Sequence, residues 1–148
     1  MNFYIDKITA ENYPKFDDMI YWRINGKQRA PSSQPPEQAV VEELQNPNLS
    51  LFAIGVEDIY VGWISLIYLP KVGKFQGHGH IYVDELWVAP AYRNQGCAKR
   101  LLAVAEELKE ELSAVGTRLY VNVNNPCAKA LYEKCGFAES GTAFFMEK

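Results

Sequence analysis

Long apolar runs are missing from this chain of 148 residues; no segment approaches the roughly 20 uninterrupted apolar residues that a membrane helix requires. With 48% hydrophobic and 13% aromatic residues, it reads instead as a soluble globular protein, a single domain over 1–148 that can bury a core without disulfide staples. Cysteine is scarce. Cys97, Cys127 and Cys135 are odd in number and lack the spacing of zinc ligands, so reduced thiols and no metal are expected. Excess positive charge is lacking too: a net charge of -3, with no basic run longer than Lys99-Arg100, argues against nucleic acid and suits a cationic or neutral small partner. The opening "MNFYIDKITAENY" has no basic n-region followed by an apolar run, which predicts a cytoplasmic location away from membranes. Neither GxxxxGK[ST] nor GxGxxG occurs, which disfavours ATP, GTP and NAD.

The elements that are there alternate. "FYIDKITA" reads as a strand, "ENYPKFDDMIYWRI" as a helix interrupted by Pro14, and "PPEQAVVEELQN" as a helix with proline at its start. "LSLFAIGVED" and "IYVGWISLIYL" are strands around a Glu57-Asp58 turn, and "GHIYVDELWVAP" is a third strand closed by Pro90. Leu101, Ala105, Leu108, Leu112 and Val115 then recur at steps of four, three, four and three, an amphipathic helix ended by Gly116. "TRLYVNV" follows as a strand; Asn125 as N-cap, Pro126 at the first helical position and Gly136 at the stop bracket a short helix; "FAESGTAFFMEK" closes as one or two strands. The expected fold is α/β, of order β-α-α-β-β-β-α-β-α-β, with four helices on a mixed, mostly antiparallel sheet of six to seven strands.

The turn between Val88 and Gly96 carries the first chemical signal. A strand running through "APAYRNQ" into a helix leaves the first helical N–H groups without partners at the positive end of the dipole. Gly96 and the small Ala98 let a ligand approach the backbone, and Arg93 and Lys99 add positive charge, so a phosphate group fits there.

The same stretch resembles the acetyl-CoA motif of the GNAT-type N-acetyltransferases: Leu86, Val88 and Pro90 precede Arg93-Asn94-Gln95-Gly96-Cys97-Ala98 as in L-x-V-x-P followed by R/Q-x-x-G-x-G/A. The later family pattern N-x-x-A-x-x-L-Y-x-x-x-G-F matches Asn125, Ala128, Leu131, Tyr132, Gly136 and Phe137. The specific residues lie between Asp84 and Phe137; the N-terminal third is similar in outline only.

The resemblance implies that the pyrophosphate of acetyl-CoA sits on the amides from Asn94 to Lys99, Cys97 included. The edge at Leu86, Trp87 and Val88 would pair with the pantetheine arm, and an N–H near Leu86 would stabilise the oxyanion formed on attack. Asn125 is either a side-chain contact to that arm or only an N-cap. Acetyl transfer to an amine needs a base and an acid, because the amine is mostly protonated at neutral pH and the thiolate must receive a proton. By the family motif Tyr132 is the acid; by helical pattern alone it is a core aromatic. Asp84 and Glu85 are candidates for the base, with Glu85 favoured and Asp84 orienting the cation; strand alternation lets only one aim straight into the cleft.

Acidic residues at these positions also occur in polyamine-acetylating relatives, so the expected acceptor is a small polyamine- or aminoglycoside-like primary amine, and a homodimer is possible. Relatives acting on protein N-termini place a glutamate where this chain has Tyr120. Acetylation of a protein or peptide amine, or a non-catalytic acyl-CoA sensor, are the alternatives. His78 and His80, Cys97 as a nucleophile, and Tyr21 and Trp22 as pocket walls rank lower.

Overall fold

A computed structural model describes residues 1–72 and 79–148. Its elements are β1 (Phe3–Lys7), α1 (Tyr13–Asn25), α2 (Gln38–Leu44), β2 (Leu49–Val56), β3 (Ile59–Leu69), β4 (His80–Val88), α3 (Cys97–Glu111), β5 (Gly116–Arg118) and α4 (Pro126–Lys134). The strands lie in chain order; β1 to β4 pair antiparallel and β5 joins β4 in parallel across the α3 crossover.

Two apolar layers hold the sheet between its helices. On one face Ile54, Ile64, Leu66, Ile81 and Val83 meet Leu101, Leu102, Ala105 and Leu108 of α3, each buried leucine contributing roughly 2 kcal/mol. On the other, Ala53, Tyr60 and Trp63 meet Phe16 and Met19 of α1. The β2–β3 hairpin turns at Glu57, which takes a positive φ of 52°. Pro14 falls in the first turn of α1 and interrupts nothing, because the amide it lacks has no helical partner there. The third helix ends at Leu112, followed by Ser113 at φ 52°, so Val115 is exposed and Gly116 opens β5 instead of closing a helix.

Among the described residues the sheet has five strands rather than the six to seven expected. Of the strand expected over 117–123 only Thr117 and Arg118 pair, with Gly116 before them, from His80↔Gly116 to Tyr82↔Arg118. So short an edge offers no ladder for another strand, and the C-terminal segment remains outside the sheet with Phe144, Phe145 and Met146 exposed. Among the described residues no helix is long and apolar enough to cross a membrane.

Candidate active site

The fourth strand carries one residue too many. Ser65 pairs with Glu85 while Leu66 pairs with Val83, so Asp84 is an extra residue, a β-bulge. The bulge shifts the alternation: Ile81, Val83, Leu86 and Val88 all pack on the α3 side, which leaves Asp84 and Glu85 on the opposite face. Both line one cavity, so the expectation that only one carboxylate could face the cleft is corrected; it assumed an unbroken pleat.

That cavity, of about 640 Å³, lies between the sheet and the helices α1 and α2. Its roof is the inner stripe of α1, with Tyr13, Phe16, Ile20 and Arg23 at helical spacing. Arg23 Nη1 donates to Glu85 Oε2 at 3.2 Å, and its guanidinium lies 5.1 Å from the Trp63 ring centroid. Glu85 thus has a charge partner, whereas Asp84 has none among the described residues. Sequence reasoning missed Arg23 and Glu43; the stripe on α1 was readable, but pairing across 62 positions leaves no local trace.

Beyond the bulge β4 runs free. Its parallel pairing with β5 stops at Tyr82, and the Ala89 amide donates to Val61 O at 2.8 Å, towards β3. By strand alternation the amides of Leu86 and Val88 face the other way, into the opening between β4 and β5. The chain then makes a short 3-10 turn at Pro90–Tyr92, pinned by Arg93 Nε donating to Val88 O at 2.9 Å. Asn94 (φ 60°) and Gly96 (φ 85°) both turn through left-handed conformations before α3.

No side chain caps α3, so the amides of Cys97, Ala98 and Lys99 have no helical or capping partner. A Cβ at Gly96 would meet nothing within 4 Å; this cradle opens outward. Asn94, Gln95, Gly96 and Lys99 are exposed, while the Cys97 side chain is buried and can offer only its amide. Burial pushes the Cys97 thiol up, the reverse of an activated nucleophile.

On α4, Asn125 is the N-cap, its Oδ1 accepting from the Ala128 amide at 3.2 Å; its side-chain amide remains for other partners. Tyr132 is half-buried at the margin of the core layer that Leu86 also joins, with its ring 6.0 Å from Phe137. Burial raises the Tyr132 pKa, so the hydroxyl stays protonated at neutral pH.

The remaining candidates are occupied elsewhere. His80 Nε2 lies 2.7 Å from Arg118 Nη2, and burial together with that cation lowers its pKa. His78 lies outside the described residues. Trp22 packs edge-on against Trp87 and Tyr92, and Tyr21 carries the guanidinium of Arg29. Tyr120 is exposed against Tyr82. Among the described residues no group of three or more His, Cys, Asp or Glu side chains could hold a metal.

Residues 16–137 match the model of the acetyltransferase (GNAT) family, and the chain belongs to that family. Acetyltransferase Atu2258 of Agrobacterium fabrum is 40% identical over 73 residues, covering 47% of this chain and 52% of its own length. The catalytic subunit NAA20 of the N-terminal acetyltransferase B complex of Arabidopsis thaliana is 34% identical over 70 residues, covering 45% of this chain and 40% of its own length. The matches thus span about half the length of these curated relatives. In fold, the chain is similar to the aminoglycoside N-acetyltransferase AAC(6')-Iy in complex with CoA, with a TM-score of 0.76, 16% identity and 98% of each chain covered.

Proposed function

We propose that this chain is an N-acetyltransferase that takes acetyl-CoA as co-substrate and acetylates the primary amine of a small molecule. One observation carries the reading. A single strand, β4, presents two carboxylates to a cavity on one face and leads, through the Pro90–Tyr92 turn, to a helix start with free amides and an open cradle. Donor and acceptor sites are thereby joined through the end of β4 and the turn that follows it.

The residues present fit the co-substrate. The amides of Cys97, Ala98 and Lys99, with the Lys99 ammonium nearby, suit a pyrophosphate. The outward amides of Leu86 and Val88 suit a peptide-like arm, and the Leu86 amide can accept charge developing on a carbonyl oxygen. When bound, acetyl-CoA supplies an activated acetyl thioester.

The chain's own groups then handle the protons. Asp84, free of an ion-pair partner, draws the substrate ammonium to the sheet end of the cavity and takes its proton. Glu85, engaged by Arg23, fixes the wall beside it. This reverses the order of the two carboxylates favoured by the sequence. Tyr132, kept protonated by burial, donates a proton to the leaving thiolate.

The test is calorimetry with acetyl-CoA followed by CoA release across polyamines, amino sugars, simple amines and peptides. Tight acetyl-CoA binding with no amine-dependent release would identify a sensor. Release with peptides alone would move the acceptor to a protein amine, the class that the NAA20 likeness favours.

A further inference from the structure

The cavity beneath α1 has a shape and a charge that select among amines. Resting on the acetyltransferase reading above, we propose that the acceptor is a primary monoamine carried on an elongated apolar body, an alkyl- or arylalkylamine.

The floor of the cavity is a row of residues set side by side across four strands. The Ile8 amide donates to Leu51 O at 2.8 Å just past the end of β1, Leu51 pairs with Ser65, and Ser65 pairs with Glu85. Three strand spacings make this row about 14 Å long. Leu49 and Ile67, paired with each other, run beside it. Above stand Phe16, Ile20 and Ile24 of α1 with Val40 and Leu44 of α2. Between the acidic β4 end and the far end, therefore, the walls are mostly apolar, with Ser50, Ser65 and the Tyr13 hydroxyl the polar exceptions. A polyhydroxylated ring or a chain of secondary ammonium groups would lose its water there and find few partners.

Charge gives the same answer independently. The lining holds three carboxylates, Glu43, Asp84 and Glu85, against two cations, Lys7 and Arg23. One negative charge is left over, matching one ammonium. The Arg23–Glu85 pair neutralises one of these carboxylates, and Asp84, without an ion-pair partner among the described residues, stands at the β4 end beside the run of strand that leads to Leu86. The apolar body then extends under α1 towards Lys7 and Glu43.

The experiment is a homologous series of n-alkylamines from butylamine to decylamine, with phenethylamine, set against spermidine, whose length matches nonylamine without its apolar body, and against an amino sugar. CoA release gives kcat/KM, and calorimetry gives amine affinity independently of turnover. Each added methylene should raise kcat/KM and affinity about three- to fourfold until the row is filled. Octylamine should exceed spermidine at least tenfold. Leu49→Gln and Ile67→Gln, on the floor beside the row, should flatten the length dependence while acetyl-CoA affinity stays within twofold.

Turnover that favours spermidine or the amino sugar, or that ignores chain length, overturns the apolar-body proposal and leaves the acetyltransferase reading standing. Acetyl-CoA binding with no CoA release for any amine overturns both.

Discussion

Replacing Tyr132 with phenylalanine separates chemistry from architecture. The ring is half-buried and packs at 6.0 Å from Phe137, contacts that phenylalanine keeps. Burial raises the pKa of this hydroxyl, and among the described residues it makes no hydrogen bond that its removal would strip. Stability should therefore change by less than about 1 kcal/mol. Loss of the proton donor, by contrast, should lower kcat by roughly 10² to 10⁴, or about 2.7–5.4 kcal/mol in barrier height.

Steady-state CoA release, calorimetry with acetyl-CoA and a denaturant melt of Tyr132→Phe together give the three quantities. The expected pattern is collapsed kcat, acetyl-CoA affinity within twofold and a melt close to the parent. In the parent, kcat should hold on the alkaline side past pH 10, because the group must be protonated to act and burial pushes its pKa above that of free tyrosine. A kcat within threefold of the parent would refute the assignment and return Tyr132 to the core. A joint loss of stability and affinity would make it a packing residue.

Gly96→Glu sets a negative charge at a position with φ 85° and open space in front of it, so acetyl-CoA affinity should fall at least tenfold, about 1.4 kcal/mol, in a folded protein; calorimetry showing no change would remove the pyrophosphate from this turn. Because the bulge brings both carboxylates to one cavity, Asp84→Asn and Glu85→Gln should both slow turnover, Asp84→Asn the more, with its deficit largest at low pH where few amines are free; a silent Asp84→Asn ends its role as base. Tyr60, which donates to Asp6 Oδ2 at 2.7 Å, has its pKa raised by burial and by that carboxylate. The stabilising effect is complete below about pH 10 and is lost progressively as pH rises from there towards the raised folded-state pKa, so urea midpoints should fall steadily above pH 10, and Tyr60→Phe should blunt that fall.

Where a signal is local, the sequence was readable. Asn125, Pro126 and Gly136 bracketed α4 because cap, first turn and left-handed stop are each chosen within one turn of helix. The free amides at α3 followed from a strand, a glycine and a helix in succession. What escaped depends on partners distant in the chain. Nothing in "VDEL" marks Asp84 as an extra residue, since a bulge is a relation between two strands. The apolar alternation of the C-terminal segment looked like a strand, but a strand also needs an edge to pair with, and β5 supplies three residues of one. Arg23 lies in the last turn of α1, and only the fold sets it against Glu85.

The bulge in β4 also bears on how such a site can change. In a regular strand every second residue answers to the core, and a new side chain on the working face must coexist with a fixed packing phase. Here the phase is reset between Val83 and Leu86, and the two residues in the interval belong to neither run of core positions. Substitutions at 84 and 85 can therefore retune charge, reach or acceptor preference with the hydrophobic layer behind them undisturbed. A deletion of either would restore the regular pleat: Val83, Leu86 and Val88 would keep their face, and a single carboxylate would be left on the cavity side.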